Sequence, residues 1–121
     1  MLLAVGGHVL GDLEPQCARM ATGLAGGLGN TEQEMCGALS GGVLVISGLL
    51  GRESLDKDDW PALDLATRYR QRFLAEFGYT QCGRLREKVV YVTGGPGSCA
   101  ALVERAAVML LGLLTKAGQR V

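Results

Sequence analysis

Cys36-Gly37-Ala38-Leu39-Ser40-Gly41-Gly42-Val43-Leu44-Val45-Ile46-Ser47-Gly48-Leu49-Leu50 is the stretch whose reading decides the fold. It carries no charge and no proline, and it falls short of the roughly 20 apolar residues that cross a bilayer. It therefore reads as a buried, glycine-studded helix. Thr31-Glu32-Gln33-Glu34 upstream has the form of a capping box, and Gly51 is a plausible stop. Cys36 falls in the first turns, where the helix dipole and free amides favour a thiolate. Each glycine inside a helix costs about 1 kcal/mol relative to Ala, so four of them need a reason. The simpler reason is close packing of another helix, in the core or across a dimer interface. The sharper one is a groove beside Cys36 that admits a cofactor or a substrate thiol at Gly37 and Gly41. Ser40 and Ser47 lie on the Cys36 side, as donors into such a groove or bonded back to their own helix.

Working outward, Ala4–Leu10 reads as a short helix ended by Gly11. A second helix, capped near Asp12 and carrying Pro15 in its first turn, runs to about Ala25, with Cys17 and Met20 on its apolar stripe. Gly26-Gly27-Leu28-Gly29-Asn30 breaks it. After the charged loop Arg52–Asp59, a fourth helix starts at Asp58 or Asp59 with Pro61, buries Leu63, Ala66, Tyr69 or Arg70, Phe73 and Phe77, and stops at Gly78. Thr80 caps a short turn carrying Cys82, and Val89–Thr93 is the one strand-like run. Gly94-Gly95-Pro96-Gly97 is a loop, and Ser98 caps a last helix from Cys99 to about Lys116. The expected architecture is mainly α: a single domain over 1–121, a compact bundle of about five helices with short connections.

Composition narrows the function. Among 121 residues, 48% are hydrophobic and only 5% aromatic, so the core is built from Leu, Val, Ala and Gly. Twelve basic and twelve acidic residues cancel, leaving no surplus for a phosphate backbone, so nucleic acid is excluded as a main partner. The apolar N-terminus lacks the basic region and cleavage site of a signal peptide, and no segment spans a membrane; the expected compartment is the cytoplasm. In that compartment the four cysteines, Cys17, Cys36, Cys82 and Cys99, are not expected to be permanent disulfides. A buried cysteine is most often a plain apolar residue, and Cys17, mid-helix, reads that way. Cys36, Cys82 and Cys99 instead fall at helix starts, with Arg84 and Arg86 near Cys82. Together they form either a dithiol–disulfide couple or ligands for an iron–sulfur cluster or another metal. No CxxC occurs, and the spacings match no zinc or ferredoxin pattern. Gly94–Ser98 lacks both the P-loop lysine and the GxGxxG spacing. His8, the only histidine, reads as a core or surface residue.

The ordered set Gly26-Gly27-Leu28-Gly29, Cys36-Gly37-Ala38-Leu39-Ser40-Gly41, Phe77-Gly78-Tyr79-Thr80-Gln81-Cys82 and Cys99 resembles the C_GCAxxG_C_C family, a redox-protein family named for its cysteine pattern. The resemblance implies a helical, dimeric protein with a redox or metal-related role. The family's first cysteine precedes the segment that Met1-Leu2-Leu3-Ala4 resembles, so either that cysteine has been lost or the natural start lies upstream. The family is also similar to a haem-bearing domain of split-Soret cytochromes, but no CxxCH is present for covalent haem. The resulting expectation is a small redox protein acting through Cys36, Cys82 and Cys99 with a redox partner. The competing expectation is a non-enzymatic helical module that dimerises or docks on a partner through the glycine face of the third helix, its cysteines being core residues.

Overall fold

The apolar run becomes α3 (Gly37–Leu50), the central element of the computed structural model, which describes all residues from Met1 to Val121. Around it are α1 (Gly7–Leu10), entered through a π turn at Leu2–Gly6, and α2 (Pro15–Ala21), followed by a 3-10 turn at Thr22–Leu24. Next come α4 (Trp60–Phe77), α5 (Cys82–Leu85), which continues as a π turn at Arg86–Val90, and α6 (Cys99–Lys116). The mainly α class is as the sequence implies, with six helices rather than five. No helix is long and apolar enough to cross a membrane.

The core lies where α3, α4 and α6 meet. Ile46 and Val45 from α3, Leu65, Tyr69, Phe73 and Phe77 from α4, and Leu102, Ala106, Leu110 and Leu114 from α6 are its centre. Three of the four glycines of α3 are explained by packing within the chain, Gly37 having open space at its Cβ position. A Cβ at Gly42 would run into the Tyr69 ring, one at Gly48 would sit 2.7 Å from Leu10, and one at Gly41 would sit 2.9 Å from Met1. The Tyr69 hydroxyl, drawn in by the absent Cβ of Gly42, donates to the Ala38 carbonyl at 2.8 Å and ties α4 to the first turn of α3. The face that Gly41, Gly42 and Gly48 present is therefore covered by the chain's own Met1, Leu10 and Tyr69.

Two caps follow the sequence closely. The Asp58 carboxylate accepts from the Trp60 amide at 3.0 Å, and the Ser98 hydroxyl accepts from the Ala101 amide at 3.1 Å. Gly78 ends α4 at φ 79°, where only glycine is unstrained. The buried stripe of α4 is set by Ala62, Leu65, Tyr69, Phe73 and Phe77, so Leu63 turns outward and is 51% exposed.

Other expectations are corrected. Val89–Thr93 forms no strand: Arg86–Val90 stays helical, and Val90 is buried. Strand preference of β-branched residues is realised only against a neighbouring strand, and no second run exists to supply one. The second helix stops early, passing at Thr22 into the 3-10 turn ahead of the glycine turn, where the Thr22 hydroxyl donates to the Ala18 carbonyl at 2.9 Å. It buries no residue: Met20 is exposed, and Cys17 is half-buried and outside the core. His8 is exposed.

The packing separates two glycines by expected outcome. Gly42→Ala should destabilise by about 1–3 kcal/mol, because a methyl group cannot coexist with the Tyr69 ring. Gly112→Ala, exposed in α6 with open space at its Cβ, should stabilise by about 0.5–1 kcal/mol. Urea unfolding of the two variants measures both signs.

Candidate functional site

The site begins with a backbone reversal. Gly26, Gly27, Leu28, Gly29 and Asn30 all have positive φ, between 59° and 71°, a run that L-residues other than Asn rarely join. The Thr31 hydroxyl holds the turn by donating to the Gly27 carbonyl at 2.8 Å. This is what becomes of the expected capping box: Thr31 serves the turn, and α3 does not start until Gly37. Its N-cap is Cys36 itself, whose Sγ accepts from the Ala38 amide at 3.4 Å.

Between the turn and α3 the chain runs beside the segment that leads into α5. Met35 and Gln81 form an isolated antiparallel bridge. The Cys36 amide donates to the Thr80 carbonyl and the Cys82 amide donates to the Glu34 carbonyl, both at 2.8 Å. The Gln81 side-chain amide adds a bond to the Gln33 carbonyl at 2.9 Å, and the Gly83 amide one to Glu32 at 2.8 Å. Side chains alternate along such a ribbon. Cys36 and Cys82 each follow a residue of the bridge, so both point to the same side of it. The relation is a local twofold: on either strand, a cysteine and then a glycine open a helix. Cys82 takes the first position of α5, after Gln81 rather than the expected Thr80 cap. Gly27 makes room for it, since a Cβ there would stand 2.6 Å from the Cys82 Cβ.

Cys99, the first residue of α6, completes the set. Cys36, Cys82 and Cys99 all line one cavity of about 510 Å³, with Gly37 and Gly41 on its wall. Sixteen of its 22 lining residues are hydrophobic, and its only charged side chain is Arg86. Cys82 is buried, Cys36 half-buried and Cys99 exposed, and all are free thiols. Cys17 does not line the cavity. No group of three or more His, Cys, Asp or Glu side chains is arranged to hold a metal ion. Ser40, another wall residue, is 8% exposed, and its hydroxyl oxygen is buried with no hydrogen-bond partner.

The electrostatics reverse one expectation. Helix starts favour thiolates, yet burial pushes the Cys36 thiol up. The amides of Ala38 and Leu39 pull it partly back, and the nearby Cys99 raises it further. Burial likewise raises Cys82, with Cys36, Glu32 and Cys99 adding to the rise and Arg86 opposing it. Desolvation wins because the surrounding wall is apolar. Arg86 is engaged by the Glu32 carboxylate at 3.3 Å, which blunts its pull on Cys82.

Sequence reasoning named the three cysteines but missed the bridge that aligns two of them. The signal available was the repeated Cys-Gly at 36–37 and 82–83, each before a helix.

Comparison with known proteins gives one match. A family model described as "Putative redox-active protein (C_GCAxxG_C_C)" matches residues 1–114. No curated protein and no solved structure matches.

Both shifts make the neutral thiols the stable forms in the folded state. A raised acid contributes stability that is complete below its unfolded value, about 8.5, and is lost as pH rises through the folded value. Reduced protein should therefore lose stability above about pH 8.5, and Cys36→Ser with Cys82→Ser should flatten that loss. Alkylation of Cys36 by iodoacetamide should be slow at neutral pH, with a midpoint above that of a free thiol.

Proposed function

The chain belongs to the C_GCAxxG_C_C family, and on that footing we propose that it is a dithiol–disulfide redox protein whose working pair is Cys36 and Cys82, with Cys99 as the solvent-facing thiol. The observation that carries this reading is the bridge at Met35 and Gln81, flanked by the two cysteine amide bonds. Diagonal positions on such a ribbon lie about 7–8 Å apart, somewhat less between Cβ atoms. A disulfide needs Cα atoms within about 4.4–6.8 Å, so oxidation draws the two helix starts slightly together.

The exchange runs from outside inward. The Cys99 thiolate attacks one sulfur of an oxidised partner's disulfide, and the partner's other sulfur leaves as a thiolate. The Cys36 thiolate then attacks the Cys99 sulfur and releases the partner's remaining thiol. Cys82 in turn attacks Cys36, leaving the Cys36–Cys82 disulfide and a free Cys99. Two electrons have passed to the partner, and two protons have left the inner pair. Burial of Cys36 and Cys82 has a thermodynamic consequence. A couple whose reduced form gains nothing from a stabilised thiolate sits toward the reducing end of the thiol–disulfide scale.

Mapping the disulfide tests the reading. After equilibration in oxidised and reduced dithiothreitol, differential alkylation and peptide mass analysis should find one reversible disulfide, Cys36–Cys82, with Cys17 free throughout. Cys99→Ser should slow the approach to equilibrium while leaving the final pairing intact. Independent alkylation of Cys36 and Cys82 across the whole range of oxidising buffers would overturn the proposal.

A further inference from the structure

The cavity beside the thiols is larger than thiol exchange needs. A volume of about 510 Å³ is that of a small-molecule site. Exchange with a protein partner requires only an exposed sulfur, which Cys99 provides.

Three features of the wall say what would fill it. It is apolar and holds no carboxylate, and Arg86 is its one charged side chain. An ionic ligand carrying several charges would lose its hydration there with little in return. Second, the Ser40 hydroxyl has no partner although the residue is 8% exposed. A buried polar group left unpaired costs about 1–3 kcal/mol. The Cys36 carbonyl, the natural acceptor one turn back, is already taken by the amides of Leu39 and Ser40. Ser40 stands on the cavity wall, and a turn of its side chain toward a ligand's acceptor oxygen would give the hydroxyl a partner. Third, Gly37 lies on the wall next to Cys36 with open space where a side chain would stand, so a flat group can approach the sulfur closely.

We infer that this cavity binds a quinone, an apolar ring bearing conjugated carbonyl oxygens, and that the Cys36–Cys82 pair exchanges two electrons with it. The inference rests on the dithiol reading above and names its small-molecule substrate class. In the reducing direction two S–H bonds break and one S–S bond forms. The two electrons and two protons pass to the quinone's two carbonyl oxygens, giving the hydroquinone. Nothing else is consumed. The Ser40 hydroxyl and the Arg86 guanidinium are the donors that would orient the oxygens. Thiols that hold their protons at neutral pH suit a transfer in which electrons and protons travel together.

Anaerobic oxidation of the fully reduced protein by duroquinone tests this. Its ring is fully substituted, so thiols have no free ring position to add to. The wild-type protein should lose two thiols per quinone reduced, with a rate that saturates in quinone. Diamide, a small polar dithiol oxidant, is run in parallel. Gly37→Phe, which fills the space beside Cys36, should slow duroquinone at least about tenfold more than it slows diamide. Ser40→Ala should not lower stability, since its hydroxyl has no partner, but should weaken duroquinone saturation by about 2–10-fold, the value of one hydrogen bond. Oxidation by diamide but not by duroquinone would sink the quinone site and leave the dithiol couple standing. Equal slowing of both oxidants in Gly37→Phe, or unchanged saturation in Ser40→Ala, would also overturn it. Failure of both oxidants to form Cys36–Cys82 would instead remove the dithiol reading beneath it.

Discussion

Two backbone hydrogen bonds, from the Cys36 amide to Thr80 and from the Cys82 amide to Glu34, hold the site together. Each fixes a cysteine by its main chain, which leaves the side chain free to react. They join segments far apart in sequence, and that closure has an entropic cost that local contacts must offset. The offset comes from the elements on either side. The glycine turn brings residues 32–35 alongside 80–83, and the Gly27 position lets Cys82 sit against the turn. Beyond the bridge, the Tyr69 hydroxyl on the Ala38 carbonyl anchors the same end of α3 to α4. The start of α3 is thus held from two sides, one by loop backbone and one by the aromatic core.

The thiols show two effects in competition. Helix starts stabilise thiolates through aligned amides, a contribution of about 0.3–1 kcal/mol at exposed termini. Removal from water acts the other way and grows with burial. At Cys36 and Cys82 burial is the larger, and the neighbouring thiols add their mutual repulsion. A position that reads as activating along the chain is therefore restraining in the fold. In the proposed exchange the first attack accordingly falls to the exposed Cys99, and the inner pair stores the electrons.

The legibility of the sequence followed the range of the interactions. Ser98 as a cap, Gly78 as a stop, the apolar run as α3 and the aromatic stripe of α4 are all set by neighbours within a turn or two, and all were readable. Thr31 misled because the same hydroxyl can cap a helix or close a turn, and five successive positive φ values settled the matter in favour of the turn. Val89–Thr93 misled because strand preference depends on a partner, and a sequence does not say that none is coming. Cys17 misled in a third way: its stripe is apolar, but α2 buries no residue, and Cys17 stays half-exposed outside the core.

By itself the sequence determined that this is a helical protein and singled out Cys36, Cys82 and Cys99 as its candidate site, because helix starts, glycine breaks and cysteine order are local and survive in one dimension. Only the tertiary structure decided which two thiols share a face, which one meets solvent, and that an apolar cavity with an unpartnered Ser40 hydroxyl lies beside them. Those depend on the Met35–Gln81 bridge and on what surrounds each sulfur. Pairing across the fold and burial are properties of the packed chain, and no stretch of sequence carries them alone.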